Sequence, residues 1–114
     1  VAILDWELAH IGDPMEDLGW PCVPSWRFGQ HQNPVGGFGQ REDFYAAYEA
    51  AGGTVDYAAV RFWEILGTLK WGIMCTMMAT AFTSGADRTV ERAAIGRRAS
   101  EAEIDLLRML EGLD

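Results

Sequence analysis

VAILDWELAHIGDP, residues 1–14, poses the deciding problem: an apolar run stops at an acidic residue, and Gly12-Asp13-Pro14 follows within ten positions. Val1-Ala2-Ile3-Leu4 is too short for a helix and half β-branched, so it suits a buried strand. Asp5 then stands at the carboxyl end of that strand. Ligands of α/β sheets gather at that end, and a carboxylate there is a hard oxygen donor suited to Mg²⁺. Equally, Asp5 begins a turn. Spacing alone leaves both readings open.

The rest of the chain sets limits on what this segment can belong to. With 114 residues and 49% hydrophobic content it can bury one modest core, so a single domain or part of one is expected. Acidic residues outnumber basic ones 17 to 9, for a formal charge of -8. That excess argues against nucleic acid as a partner, because such a binder must neutralise phosphates. Cys22 and Cys75 lie far apart without Cys-x-x-Cys spacing, so neither a zinc site nor a disulfide framework is indicated, and a reducing cytoplasm fits. No signal peptide precedes the apolar run. The longest charge-free stretch, Trp71 to Ala86, contains Gly72 and Gly85 and is short for a membrane span. The expectation is a cytoplasmic protein with no membrane partner. Because the chain opens on Val1 inside an apparent core strand, it is expected to be the tail of something longer.

Downstream the pattern is helical. Asp13-Pro14-Met15-Glu16 offers an N-cap, a proline at the first helical position and a glutamate three residues after the cap. This helix should end near Trp20-Pro21. Residues 22–40 hold Pro24, Pro34, four glycines and the polar run Gln30-His31-Gln32-Asn33, which reads as a long ordered loop with Trp26 and Phe28 as anchors. Phe44, Ala47, Tyr48 and Ala51 recur at helical spacing before Gly52-Gly53. Asp56 can cap a third helix running to about Thr83. On it Phe62, Leu66, Leu69, Ile73 and Met77 form one stripe, and Trp63, Gly67, Trp71 and Met74 another. Apolar on two faces, it should be central and buried, with Met74, Met77 and Met78 filling core. A last helical region covers roughly Thr89 to Leu113, as one kinked helix or two, with Ser100-Glu101-Ala102-Glu103 as an internal capping box.

Chemistry concentrates in Asp5, Glu7, Asp13 and Asp17. Asp13, placed before Pro14, is best used as a helix cap, and Asp17 in the same first turns is favoured by the macrodipole. Asp5 alone combines a strand end with freedom from a capping task. Glu7 points to the same side if the strand continues, and could assist a cation or hydrogen-bond a neighbouring loop. His10 and His31 have no Cys or His partner at ligand spacing. No glycine-rich phosphate loop of the P-loop type is present.

LDWELAHIGDPMEDLGW, residues 4–20, resembles the metal-binding segment of the aminoglycoside phosphotransferase and choline kinase-like family: an apolar strand, Asp, a short spacer, Gly-Asp-Pro, two residues and Asp-Leu. The stretches REDFYAAYEAAGG, FWEILGTLKWG and ERAAIGRRASEAEIDLL are similar to a bacterial branch of it, close to the kinase-like domain joined to some acyl-CoA dehydrogenases. The resemblance spans nearly the whole chain. It implies a mainly α fold: the helical part of the carboxyl-terminal lobe of a protein-kinase-like fold, with a short strand at the amino terminus. Residues 1–114 would form one partial domain, a carboxyl-terminal lobe fragment of a kinase-like phosphotransferase.

By the same resemblance, Asp5 matches the aspartate that holds the Mg²⁺ bridging ATP phosphates, so Mg²⁺ and ATP are the implied cofactors of the parent protein. Asp13 and Asp17 match an acidic pair that braces the catalytic loop from behind. Trp63, Trp71 and Tyr48 become candidates for contact with a small-molecule acceptor whose identity the sequence does not give, although buried aromatics are usually core. The family's His, Gly, Asp and Asn catalytic loop and its nucleotide-contacting lysine have no match in the chain, so no catalytic residue is assigned and the chain alone is expected to be inactive. The site residues expected are Asp5 for cofactor and metal, with Glu7 for metal.

Two classes of function follow. One is part of an ATP- and Mg²⁺-dependent phosphotransferase acting on a small-molecule hydroxyl. The other is a noncatalytic helical binding or assembly module on the same scaffold. A Mg²⁺-dependent hydrolase built on Asp5 and Glu7 alone ranks last, for want of a nucleophile or base. Exposed apolar faces of the central helix are expected either to make the chain self-associate or to keep it in contact with a segment outside it.

Overall fold

The structure, a computed structural model, describes residues 1–113. Five α-helices follow one another: α1 (Pro14–Gly19), α2 (Arg41–Ala50), α3 (Tyr57–Thr83), α4 (Val90–Gly96) and α5 (Ala99–Leu110). Short 3-10 turns at Trp6–Leu8, Trp20–Cys22 and Pro24–Arg27 complete the regular structure among the described residues.

The helix starts obey local chemistry. Asp13 caps α1 through its Oδ1, which accepts from the Met15 amide at 2.9 Å, and Pro14 takes the first position, where no N–H is needed. Past Gly19 the chain tightens into the 3-10 turn that carries Pro21. Asp56 caps α3, its carboxylate accepting from the amides of Ala58 and Ala59, each at 3.1 Å. Thr89 caps α4 through its hydroxyl, which accepts from the Arg92 amide at 3.3 Å.

The long helix α3 is the spine, with α1, α4 and α5 packed along it. Met15 and Leu18 of α1, Tyr45 of α2, Val55 just before α3 and Val60 within it form one buried cluster, with Phe44, Tyr48, Ala59 and Trp63 against it. Close approaches set the helix crossings. A Cβ on Gly19 would lie 2.8 Å from the Glu64 amide nitrogen, and one on Gly96 would lie 2.8 Å from the Ala79 backbone. Side chains at those two points would force the helices apart.

Several expectations are corrected. No strand forms at residues 1–4: they are exposed and irregular, and the described residues contain no β-ladder beyond an isolated Val35–Gly39 bridge. Extended backbone becomes a strand only when a neighbour takes its hydrogen bonds, and none is offered here. The spine is not buried on two faces. Phe62, Leu69, Ile73 and Met77 are 57%, 45%, 54% and 66% exposed, because α1, α4 and α5 all settle on the other side. Met77 therefore fills no core; with Met74 and Met78 it lines a groove of about 380 Å³ beside Asp87 and Arg92. The last helical region is two helices, and Ser100 falls inside α5, so the capping box is not used. The break falls where Arg98 reaches away, donating to the Ser25 carbonyl at 3.2 Å and to Glu101 at 2.9 Å.

By length and composition α3 is apolar enough to cross a membrane, with a mean hydropathy of 1.3 over its best window. Yet it carries Glu64 at 1% exposure, ion-paired with arginines, and it packs against three other helices. With 22% of that window buried, only its covered face is core.

Candidate functional site

The acidic residues of the amino-terminal segment face a cleft of about 680 Å³. One side is the segment Ile3–His10; the floor and far side come from α1, the Trp20 and Trp26 loop, and Lys70, Trp71 and Met74 of α3. Asp5, Glu7, Asp13 and Asp17 all line it. The cleft thus gathers the four acidic residues that the sequence singles out, while giving them different roles.

Asp13 is committed. Its Oδ1 caps α1 and its Oδ2 accepts from the Trp63 indole N–H at 2.8 Å, which ties the start of α1 to the spine. The Met15 amide bond first, and the Trp63 bond second, hold its carboxyl below the ordinary carboxylate range. Asp17 sits exposed on α1, one turn from the cap, where negative charge suits the helix start. Glu16 does not close a capping box. Its carboxylate points to His10 at 2.8 Å and to Lys70 at 3.4 Å.

Asp5 is uncommitted. It precedes the Trp6–Leu8 turn in a left-handed conformation, φ 66 and ψ 56, with its side chain making no cap bond. Aspartate tolerates that region better than most residues. Glu7 lies within the turn, so the period-two argument that set it on the same side as Asp5 does not apply. Among the described residues no group of three or more His, Cys, Asp and Glu side chains is close enough together to hold a metal ion. In kind, two carboxylates fit Mg²⁺, which binds through one or two of them and completes its shell with waters and phosphate oxygens.

The wall opposite is aromatic. Trp26 lies between Trp20 and Trp71, with ring centroids 5.4 and 4.7 Å apart, so it is the loop anchor that the sequence suggests. Phe28 is not; it is 74% exposed. Lys70 lies 5.7 Å above the Trp20 ring. Of the three acceptor-contact candidates, only Trp71 reaches the cleft, whereas Trp63 and Tyr48 pack against the core cluster.

Behind the aromatic wall is an ion cluster that sequence reasoning missed. Glu64 Oε1 meets Arg27 at 3.0 Å, Arg41 at 2.6 Å and Arg61 at 3.6 Å, and Arg27 also donates to the Cys22 carbonyl at 2.9 Å. It clamps the 22–40 loop and α2 to the spine. A lone carboxylate in the apolar run FWEILGTL was its one visible trace. Next to it, burial pushes the Cys22 thiol up and raises Tyr45 to about 12, so both stay neutral at physiological pH. Cys22 and Cys75 are free and buried.

At the mouth, His10 joins the acidic segment to α1. Its Nδ1 lies 2.8 Å from the Leu8 carbonyl and its Nε2 2.8 Å from Glu16. The carbonyl first, then the Glu16 bond and charge, raise its pKa above the ordinary 6.5, against opposition from Lys70.

A family model described as phosphotransferase enzyme family matches residues 1–63, which take in the acidic segment, α1, α2 and the start of α3. No curated protein and no solved structure matches the chain.

Proposed function

The chain belongs to the phosphotransferase enzyme family, and we propose that within it the chain carries the metal-holding part of an ATP- and Mg²⁺-dependent transfer to a small-molecule hydroxyl. The observation that carries this reading is the family match over residues 1–63, whose acidic motif lies along one cleft. Asp5 is the residue to hold Mg²⁺, with Glu7 as the second carboxylate. These carboxylates would hold the ion, which would supply positive charge against the negative charge that develops on the phosphates of ATP.

The chain's own residues then have separable tasks. Asp5, with no hydrogen-bonding duty in its cap position, is available to a cation. Asp13 is spent on capping α1 and on Trp63, so it fixes the floor without touching the ion. The wall of Trp20, Trp26 and Trp71 keeps one side of the cleft apolar. Positioning a nucleotide, a metal and a base together is what phosphoryl transfer requires. In this reading the base and the nucleotide-binding lysine come from groups outside these residues, and the chain alone is inactive. A cytoplasmic setting accords with two buried, free thiols.

Calorimetric titration with Mg²⁺ and a non-hydrolysable ATP analogue tests the assignment, comparing the parent protein that supplies those groups with its Asp5→Asn variant. Binding should weaken by at least the roughly tenfold that loss of even an outer-shell partner costs. Equal affinity in the two proteins would remove Asp5 from the site. Absence of binding in both would favour the noncatalytic helical module.

A further inference from the structure

The bonds around His10 do more than crowd a histidine against a carboxylate. Its two ring nitrogens face the Leu8 carbonyl and the Glu16 carboxylate, each at 2.8 Å. A carbonyl oxygen only accepts, and an ionised carboxylate only accepts. A neutral imidazole carries one N–H and can satisfy one of them. Only the imidazolium, with two N–H groups, satisfies both at once.

The consequence depends on what else fastens the segment. Residues 1–12 are exposed throughout. Two further hydrogen bonds there, Trp6 Nε1 to the Ile3 carbonyl at 2.9 Å and the Ala9 amide to the Trp6 carbonyl at 3.0 Å, close the segment on itself and fasten it to nothing else. The His10 bridge reaches α1 through Glu16, and Glu16 in turn meets Lys70 of α3 at 3.4 Å. The charged groups facing His10 are therefore Glu16 from α1, which favours its protonation, and Lys70 from α3, which opposes it.

We propose that His10 is a positioning residue, a protonation-dependent latch that pins the Asp5–Glu7 segment against α1 when charged and releases it when neutral. The latch is a property of the chain itself; only its effect on cation binding rests on the assignment of Asp5. Because the folded state favours the charged form, the latch is fully engaged below about pH 6.5, the ordinary histidine value, and is lost as the pH climbs through the raised one. The site would then be ordered in mildly acidic conditions and loosened in alkaline ones.

The test follows the His10 ring by NMR through a pH titration, together with amide-exchange protection factors for residues 6–12, in the wild-type chain, in Glu16→Gln and in His10→Gln. Wild-type protection should fall several-fold as the pH passes the His10 midpoint. Glu16→Gln should lower that midpoint, and His10→Gln, an exposed change whose folding circular dichroism can verify, should make protection indifferent to pH. A midpoint unmoved by Glu16→Gln, or protection flat across the midpoint in the wild type, overturns the latch. Mg²⁺ titrations on both sides of the midpoint separate the two ideas: pH-dependent protection without Mg²⁺ binding at either pH keeps the latch and overturns the metal assignment. Tighter binding below the midpoint supports both.

Discussion

Residues 1–12 and residues 13–27 face the same cleft and are held in opposite ways. The second stretch is anchored at every level. Asp13 caps α1 and grips Trp63, Met15 and Leu18 enter the core, Gly19 lets α1 lie on the spine, and Arg27 reaches the buried Glu64. The first stretch buries nothing; Ile3 and Leu4 are 74% and 80% exposed, and a histidine bridge ties it down. The lesson is that one motif contains a scaffold half and an unanchored half. The scaffold half stabilises itself through short-range caps and packing, while the half that carries Asp5 keeps its carboxylate free because so little structure has claim on it.

The sharpest way to break the contrast is at its deepest anchor. Glu64→Gln would take from Arg27, which is 5% exposed, its ion pair with Glu64, and should cost about 3–5 kcal/mol in urea denaturation. A loss under about 1 kcal/mol would mean that the cluster is not what clamps the 22–40 loop. Gly19→Ala comes next. Its new methyl would meet backbone at 2.8 Å, which cannot swing aside, so a destabilisation of about 1–3 kcal/mol is expected by the same assay.

Asp13→Ala should lower the melting temperature by removing both the cap and the Trp63 bond. The sign of its pH dependence is fixed by its lowered pKa. The carboxylate's contribution is present above the ordinary aspartate value of about 3.9 and is lost as the pH falls through the lowered one. The gap between wild type and variant should therefore close in strong acid, and a gap constant with pH would sink the account. Smallest of all, Ile3→Ser in the unanchored stretch and Ile73→Lys on the open face of α3 should each change stability by less than about 0.5 kcal/mol. A larger loss at either site would show that the surface is covered and that the contrast is drawn in the wrong place.

Much of this was legible in residue order. The caps Asp13 and Asp56, the bounds of α2 and α3, and the structural use of Asp13 all rest on interactions spanning a few residues, and these the chain spells out locally. The strand at residues 1–4 was not, although its composition is right, because a strand is a relation between two segments and the second is not within the described residues. The two-faced burial of α3 failed for a related reason: a stripe of apolar residues says that a face can be buried and leaves open whether anything lies upon it. Glu64 and its arginines stand 37, 23 and 3 positions apart, and only the last spacing is readable as a helical neighbour.

Residue order alone marks a helical member of the phosphotransferase family, with a committed Asp13 and an uncommitted Asp5, because capping geometry and motif spacing are local. Which face of the spine is covered, that three tryptophans wall the cleft, that a buried glutamate gathers three arginines, and that His10 bridges to Glu16 all emerge with the packed fold. Each of these is an encounter between distant parts of the chain. Such encounters are selected by the packing of whole helices and not by any residue's own preference.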